Sequence, residues 1–166
     1  GSKSVMANLS DAENSNANRD MTFLANGIRW NSNTGNANAS SGTYVVWSWK
    51  GGGAAVSNTD GSITTSVSAN TEAGFSIIAY TGNDTAGHTI PHHLGVAPRV
   101  VISKKRSSTG SWGTYHASLT SASNYILLND TAAQASNNVY FNGTAPTDSV
   151  VTRGTGADGN ADDVTY

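Results

Sequence analysis

The sequence predicts an all-β protein, an antiparallel β-sandwich of jelly-roll type with little or no helix. Three observations carry this. Apolar residues come in short runs parted by Gly, Asn, Ser and Thr, and these runs favour β-branched and aromatic side chains. Capping signals for helices are present, but no amphipathic stripe follows them. The 18 glycines and the lack of long apolar stretches fit many short strands joined by turns.

The first run covers residues 44–49, where Val45, Trp47 and Trp49 alternate with Val46 and Ser48, the period of a strand with one wet face. Trp47 and Trp49 share that face, so packing against a domain or a neighbouring copy is their expected use. Runs at residues 63–67, 75–80 and 100–103 follow. Phe75-Ser76-Ile77-Ile78-Ala79-Tyr80 and Arg99-Val100-Val101-Ile102-Ser103 carry the composition of a sheet centre. Further strands are expected at residues 125–128, 139–141 and 150–152. Pro91, Pro98 and Pro146 lack the amide donor a central strand needs and mark loop corners. Ser10-Asp11-Ala12-Glu13 and Thr131-Ala132-Ala133-Gln134 can each form one helical turn at most.

The chain also repeats itself. Phe23-Leu24-Ala25-Asn26-Gly27-Ile28, a polar loop and Thr43-Tyr44 are answered by Val150-Val151-Thr152-Arg153-Gly154, a second polar loop and Thr165-Tyr166. Upstream, Val5 to Glu13 runs parallel to Ile126 to Gln134. Asn8 and Asn129 lie 121 residues apart, Gly27 and Gly154 127, and Tyr44 and Tyr166 122. A period of this size marks tandem copies of one unit. Residues 1–50 read as the closing half of an upstream copy, 51–62 as a Gly-rich junction, and 63–166 as a second copy lacking its last strand. Gly51-Gly52-Gly53 has the conformational freedom of a linker. A half-copy of about 50 residues is too small to bury a core alone. It is expected to pack on the second copy or on a neighbouring chain.

The junction from Trp49 to Ile63 resembles one found in tandem-repeat virion proteins of bacteriophages, of the marine-phage type described as tail fibre or structural proteins. Ala73-Gly74-Phe75-Ser76-Ile77, Tyr80-Thr81-Gly82-Asn83, His92-His93-Leu94-Gly95-Val96-Ala97-Pro98, Tyr115-His116 and Thr144-Ala145-Pro146 are similar to the same repeat. One departure is His93, where the repeat commonly has glycine. The resemblance implies a multimeric virion appendage or surface decoration with no catalytic residues to carry over.

Composition narrows the chemistry. With 12% charged residues and a net charge of −2, there is no electrostatic footprint for nucleic acid or anionic membrane. Lys104-Lys105-Arg106 reads as a solvated strand end. The absence of cysteine excludes disulfides and thiolate sites. No run nears the roughly 20 apolar residues of a membrane helix, and Gly1-Ser2 has the look of a tag scar.

Among candidate sites, Asp158-Gly159-Asn160-Ala161-Asp162-Asp163 spaces oxygen ligands as a Ca²⁺ loop does. It lacks the glycine and the later bidentate Glu of an EF-hand. Its counterpart, Gly35-Asn36-Ala37-Asn38-Ala39-Ser40, has no carboxylate, so a polar turn is the expectation and no cofactor is assigned. His88, His92, His93 and His116 are read as hydrogen-bonding residues rather than zinc ligands. No Gly-x-Ser-x-Gly elbow occurs, and Glu13 and Glu72 are the sole glutamates, so an enzyme is not expected. The Asn-x-Ser/Thr triplets read as Asn-rich turns. Trp30 beside Arg29, and Trp112 near Tyr115, are the candidates for a ligand face.

The reading is a non-enzymatic structural module of a virion appendage, outside the cell, that presents loops to a host surface and assembles with copies of itself and other virion proteins. The alternative is a lectin-like module for host glycan.

Overall fold

The computed structural model describes residues 3–15, 20–31 and 38–166. Its strands are β1 (Lys3–Ser4), β2 (Asn14–Ser15), β3 (Met21–Leu24), β4 (Gly27–Trp30), β5 (Val56–Asn58), β6 (Thr65–Asn70), β7 (Phe75–Ala79), β8 (Thr89–Pro91), β9 (Val100–Ser103), β10 (Gly113–His116), β11 (Asn124–Leu127), β12 (Ala135–Ser136) and β13 (Val150–Thr152). One helical turn, α1 (Ala157–Asn160), completes them. The protein is all-β, as its sequence predicts. Among the described residues the strands form five small antiparallel sheets, ordered β1-β2, β3-β4, β5-β6-β7, β13-β8 and β12-β11-β10-β9.

Local chemistry accounts for the hairpins. Asn70 and Phe75 close the β6–β7 ladder. Asn70 Oδ1 accepts from the Ala73 amide at 3.0 Å, and Gly74 takes φ 65° to turn the chain. β3 and β4 pair from Met21–Trp30 to Leu24–Gly27 around Ala25-Asn26. The β8–β13 pair has no local cause. It joins residues about 60 positions apart (Pro91 opposite Val150), because both strands deliver side chains to one core.

That core gathers Ile63, Tyr80, Ile90, Tyr115, Tyr140, Phe141, Val151 and Tyr166, with Ile78, Val101, Tyr125 and Leu127 packed on it. Rings dominate. Tyr80 and Tyr166 stack at 4.8 Å between centroids and 9° between planes, and Tyr125 lies 4.6 Å from Tyr140. Each buried ring contributes on the order of 2–3 kcal/mol by apolar burial.

Several expectations are corrected. Residues 139–141 form a turn rather than a strand, because Gly154, Gly156 and Gly159 bring their backbone into contact with it. The amides of Gly154 and Gly156 bond the carbonyls of Tyr140 (3.1 Å) and Val139 (2.9 Å). Pro91 sits at the end of strand β8, where no further ladder donor is required. Residues 44–49 pair with no strand among the described residues, and Trp47 is 79% exposed. Lys104 and Lys105 are buried instead of solvated. Lys104 Nζ donates to Ser10 O at 3.2 Å, and Lys105 Nζ pairs with Asp158 Oδ1 at 3.2 Å. Desolvation pulls the Lys104 ammonium below its ordinary pKa.

The amino-terminal segment is docked on the chain that carries these lysines. Glu13 receives Lys3 Nζ at 2.9 Å and Arg106 Nε at 2.7 Å, which holds its carboxyl below the usual range, Arg106 first. The Gly110 amide donates to Ser10 O at 2.8 Å, and Trp112 Nε1 donates to Met6 O (2.9 Å) and Leu9 O (3.1 Å).

Candidate functional site

The sequence-derived candidates are not gathered in one place. Arg29 and Trp30 lie on β4, where Arg29 is exposed and opposite Thr22, and Trp30 is half-buried opposite Met21. Trp112 precedes β10 and spends its one donor on Met6 and Leu9, as described. Its indole therefore anchors the amino-terminal segment. Tyr115 is 7% exposed and lies 5.8 Å from Phe141, so it packs the core and offers no ring face to a ligand.

The acidic loop is built as structure. Asp158 Oδ1 holds Lys105, while Oδ2 accepts from Tyr140 Oη at 3.2 Å and the Ser111 amide at 3.3 Å. Asn160 is fully buried and turned elsewhere: Nδ2 donates to Asn83 Oδ1 (3.0 Å) and Thr85 O (3.2 Å), and Oδ1 accepts from the Asn83 amide (3.2 Å). Asp162 is exposed. Asp158 and Asn160 thus point to separate partners. Among the described residues no group of three His, Cys, Asp or Glu side chains could hold a metal ion. Of the compared loop, Gly35, Asn36 and Ala37 lie outside the described residues.

The histidines are committed locally. His88 Nδ1 lies 2.8 Å from Asn83 Nδ2, and His116 Nδ1 accepts from the Ser118 amide at 3.0 Å. His92 is buried, with Nδ1 accepting from Leu94 N at 3.2 Å and Nε2 donating to Thr147 O at 3.2 Å. Burial lowers its pKa, because the charged ring would lose its hydration there. His93 takes φ 58°, the left-handed region that glycine favours.

Sequence reasoning missed Arg153. This residue is wholly buried: Nε and Nη2 donate to Gly159 O at 3.0 and 2.7 Å, and Nη2 to Ser103 Oγ at 2.8 Å. Its guanidinium lies 5.1 Å from the Phe141 centroid and 5.8 Å from that of Tyr80. Tyr80 Oη donates to the same Gly159 carbonyl at 2.7 Å. The only local signal is a lone Arg between an apolar strand and a glycine.

One arrangement occurs twice. The Ala161 amide donates to Tyr166 Oη at 2.8 Å, Val164 N bonds Ala161 O at 3.3 Å, and Asp163 has φ 53°. At 122 residues earlier, Ala39 N donates to Tyr44 Oη at 2.8 Å, Gly42 N bonds Ala39 O at 3.1 Å, and Ser41 has φ 64°. Burial pushes the Tyr166 phenol up to about 12. An open groove of about 390 Å³ runs past Tyr166, walled by Thr65, Ser66, Tyr80, Thr81, Arg106 and Thr165.

These features define an all-β unit with an internally repeated, tyrosine-closed turn. The family described as a domain of unknown function, DUF7483, matches residues 1–166, and the chain belongs to it. No match was found among curated proteins or solved structures.

Proposed function

We propose that this chain is a non-enzymatic structural module of a bacteriophage virion appendage or surface decoration. In this reading β-rich units recur along the fibre, and their loops meet the host surface. The observation that carries it is the tyrosine-closed turn, which recurs with its hydrogen bonds and its left-handed residue at the 122-residue spacing. A unit repeated in one chain extends a particle and multiplies weak contacts into avidity. The resemblance of the junction and of the 73–98 segment to phage repeats supports the same reading.

The test is location. Antibody raised against the chain should label purified phage particles of the source culture in electron micrographs, at an appendage or on the capsid surface. Particles free of the protein by mass spectrometry would sink the proposal.

A lectin-like module for host glycan is the second reading. The groove beside Tyr166 favours it, because the exposed hydroxyl residues Ser66, Thr81 and Thr165 with the Arg106 guanidinium suit a sugar. A glycan array separates the two. Saturable signal from the isolated chain supports the lectin, and its absence removes that reading.

A further inference from the structure

β7 is the edge of its sheet. On its open side, among the described residues, pairing occurs just past its end. Tyr80 N donates to Tyr166 O at 3.4 Å, Tyr166 N to Tyr80 O at 2.9 Å, and Thr81 bridges Thr165 antiparallel. This reciprocal exchange fixes the parity of the edge. Alternate residues of an antiparallel strand aim amide and carbonyl to the same side. Tyr80, Ile78 and Ser76 therefore face the open side, while Ala79, Ile77 and Phe75 face β6. Ser76 Oγ is buried without a hydrogen-bond partner among the described residues.

A strand that fits this edge exists in the chain. Tyr44 corresponds to Tyr166 through the spacing of 122 and through the turn that both tyrosines close. Extending the Thr81–Thr165 register past Tyr166, and substituting the residues that follow Tyr44, sets Val45 opposite Ala79 and Val46 opposite Ile78. Trp47 falls opposite Ile77, Ser48 opposite the unpartnered Ser76, and Trp49 opposite Phe75. Apolar side chains meet apolar ones throughout, and serine meets serine. Trp49 already stacks on Phe75 of its own chain, with centroids 6.0 Å apart. Yet residues 45–49 pair with no strand among the described residues, and Val45 and Trp47 are 75% and 79% exposed.

Their own chain holds them off the edge. Asn70 Nδ2 donates to Lys50 O (3.3 Å), Gly52 N to Ser68 Oγ (3.0 Å), and Ser68 Oγ to Gly53 O (2.8 Å). Ser68 and Asn70 stand opposite Ile77 and Phe75, so the backbone after Trp49 is tied over the face of the sheet rather than beside it. We propose that the open side of β7 is an interface for a second copy of this chain, whose residues 45–49 add to it as an antiparallel fourth strand. Donor and acceptor are different surfaces, so the contact closes by reciprocal exchange or a ring, or grows head-to-tail. It stands whether or not the chain belongs to a virion.

Sedimentation equilibrium of the full chain over a concentration series tests this, with mass expected to rise above that of the monomer. Val46→Pro with Ser48→Pro removes the two amides aimed at β7. Both residues are exposed and outside any sheet, so the variant is expected to keep its circular dichroism and become monomeric. A labelled peptide of residues 44–50 should then bind that monomer saturably. The peptide with both prolines, or an Ile77→Asp acceptor, should lose about tenfold or more, the worth of two net hydrogen bonds. A wild-type chain monomeric throughout, a proline variant that still associates, or a monomer with its own 45–49 amides protected from exchange would each overturn the proposal.

Discussion

Replacing Arg153 by alanine and by methionine separates packing from charge in the core. The guanidinium is fully buried, Nη1 has no hydrogen-bond partner among the described residues, and none of the ion pairs found there includes it. Both substitutions remove the same donors to Gly159 O and Ser103 Oγ, and both relieve the same desolvation of an unpaired cation, so those contributions cancel between them. Gly159 O keeps Tyr80 Oη in either variant. What remains is the stem. Alanine keeps Cβ and forfeits the two further buried methylenes, Cγ and Cδ, at about 0.8 kcal/mol each, or about 1.6 kcal/mol. It also leaves a void of roughly 80 Å³, which at about 24 cal/mol per Å³ adds about 2 kcal/mol. Methionine fills most of that space. The two should differ by about 3.6 kcal/mol, or about 7–14 °C in Tm at about 2–4 °C per kcal/mol. Methionine itself should fall close to wild type, since burying an unpaired charge gains little. Calorimetry reads both values. If the two variants melt together, the polar contacts rather than the stem hold this loop, and the reasoning fails.

Other outcomes follow from the same contacts. His92 has its pKa lowered by burial, so above about pH 6.5 its contribution to stability is complete; as pH falls below that, the unfolded chain takes a proton the folded one resists. Stability should therefore fall as pH drops below about 6.5, and His92→Gln should flatten that part of a urea-midpoint profile. Gly154→Ala would set a methyl 1.9 Å from Asn138 O and should lower stability by about 3 kcal/mol, whereas Gly27→Ala, with nothing within 4 Å, should be neutral. Paired melts show whether these echoed glycines differ so. Trp112→Phe keeps a ring but loses the donor to Met6 and Leu9, so amides of residues 3–15 should exchange faster by mass spectrometry while core amides hold.

The strands that could be read from sequence were those whose side chains declare them. β7, β9 and β13 fell where β-branched and aromatic residues cluster, and the core rings Tyr80 and Phe141 came from such runs. β8 was hidden by Pro91 and exists through a partner about 60 residues away. Residues 139–141 have strand composition but were claimed by glycines from 154–159, whose close approach no local pattern announces. The ligand candidates failed to converge for a similar reason. Aromatic side chains serve burial and recognition alike, and only tertiary context sent Tyr115 inward and tied Trp112 to Met6. Arg153 was illegible because a buried unpaired guanidinium contradicts the rule that charges stay in water.

The echoed segments differ in how much of their structure each carries with it. Phe23 and Ile28 pair with each other in a hairpin, while the echoing Val150-Val151-Thr152 pairs with β8. A strand takes whichever edge the rest of the fold presents, so its sequence does not select a partner. The tyrosine-closed turn is different. Its phenol bonds an amide five residues back and its left-handed residue sits inside the loop, so the contacts common to both occurrences lie within one short stretch. Such a turn forms in both surroundings, buried at Tyr166 and exposed at Tyr44, and it delivers the chain after the tyrosine in a fixed direction. At Tyr166 that direction is antiparallel to Tyr80 and Thr81. At Tyr44 the same turn leads into an apolar, unpaired segment. A module that fixes its exit locally and leaves its strand partner to be found is suited to joining copies, and the prolines at residues 46 and 48 test that join without touching the turn.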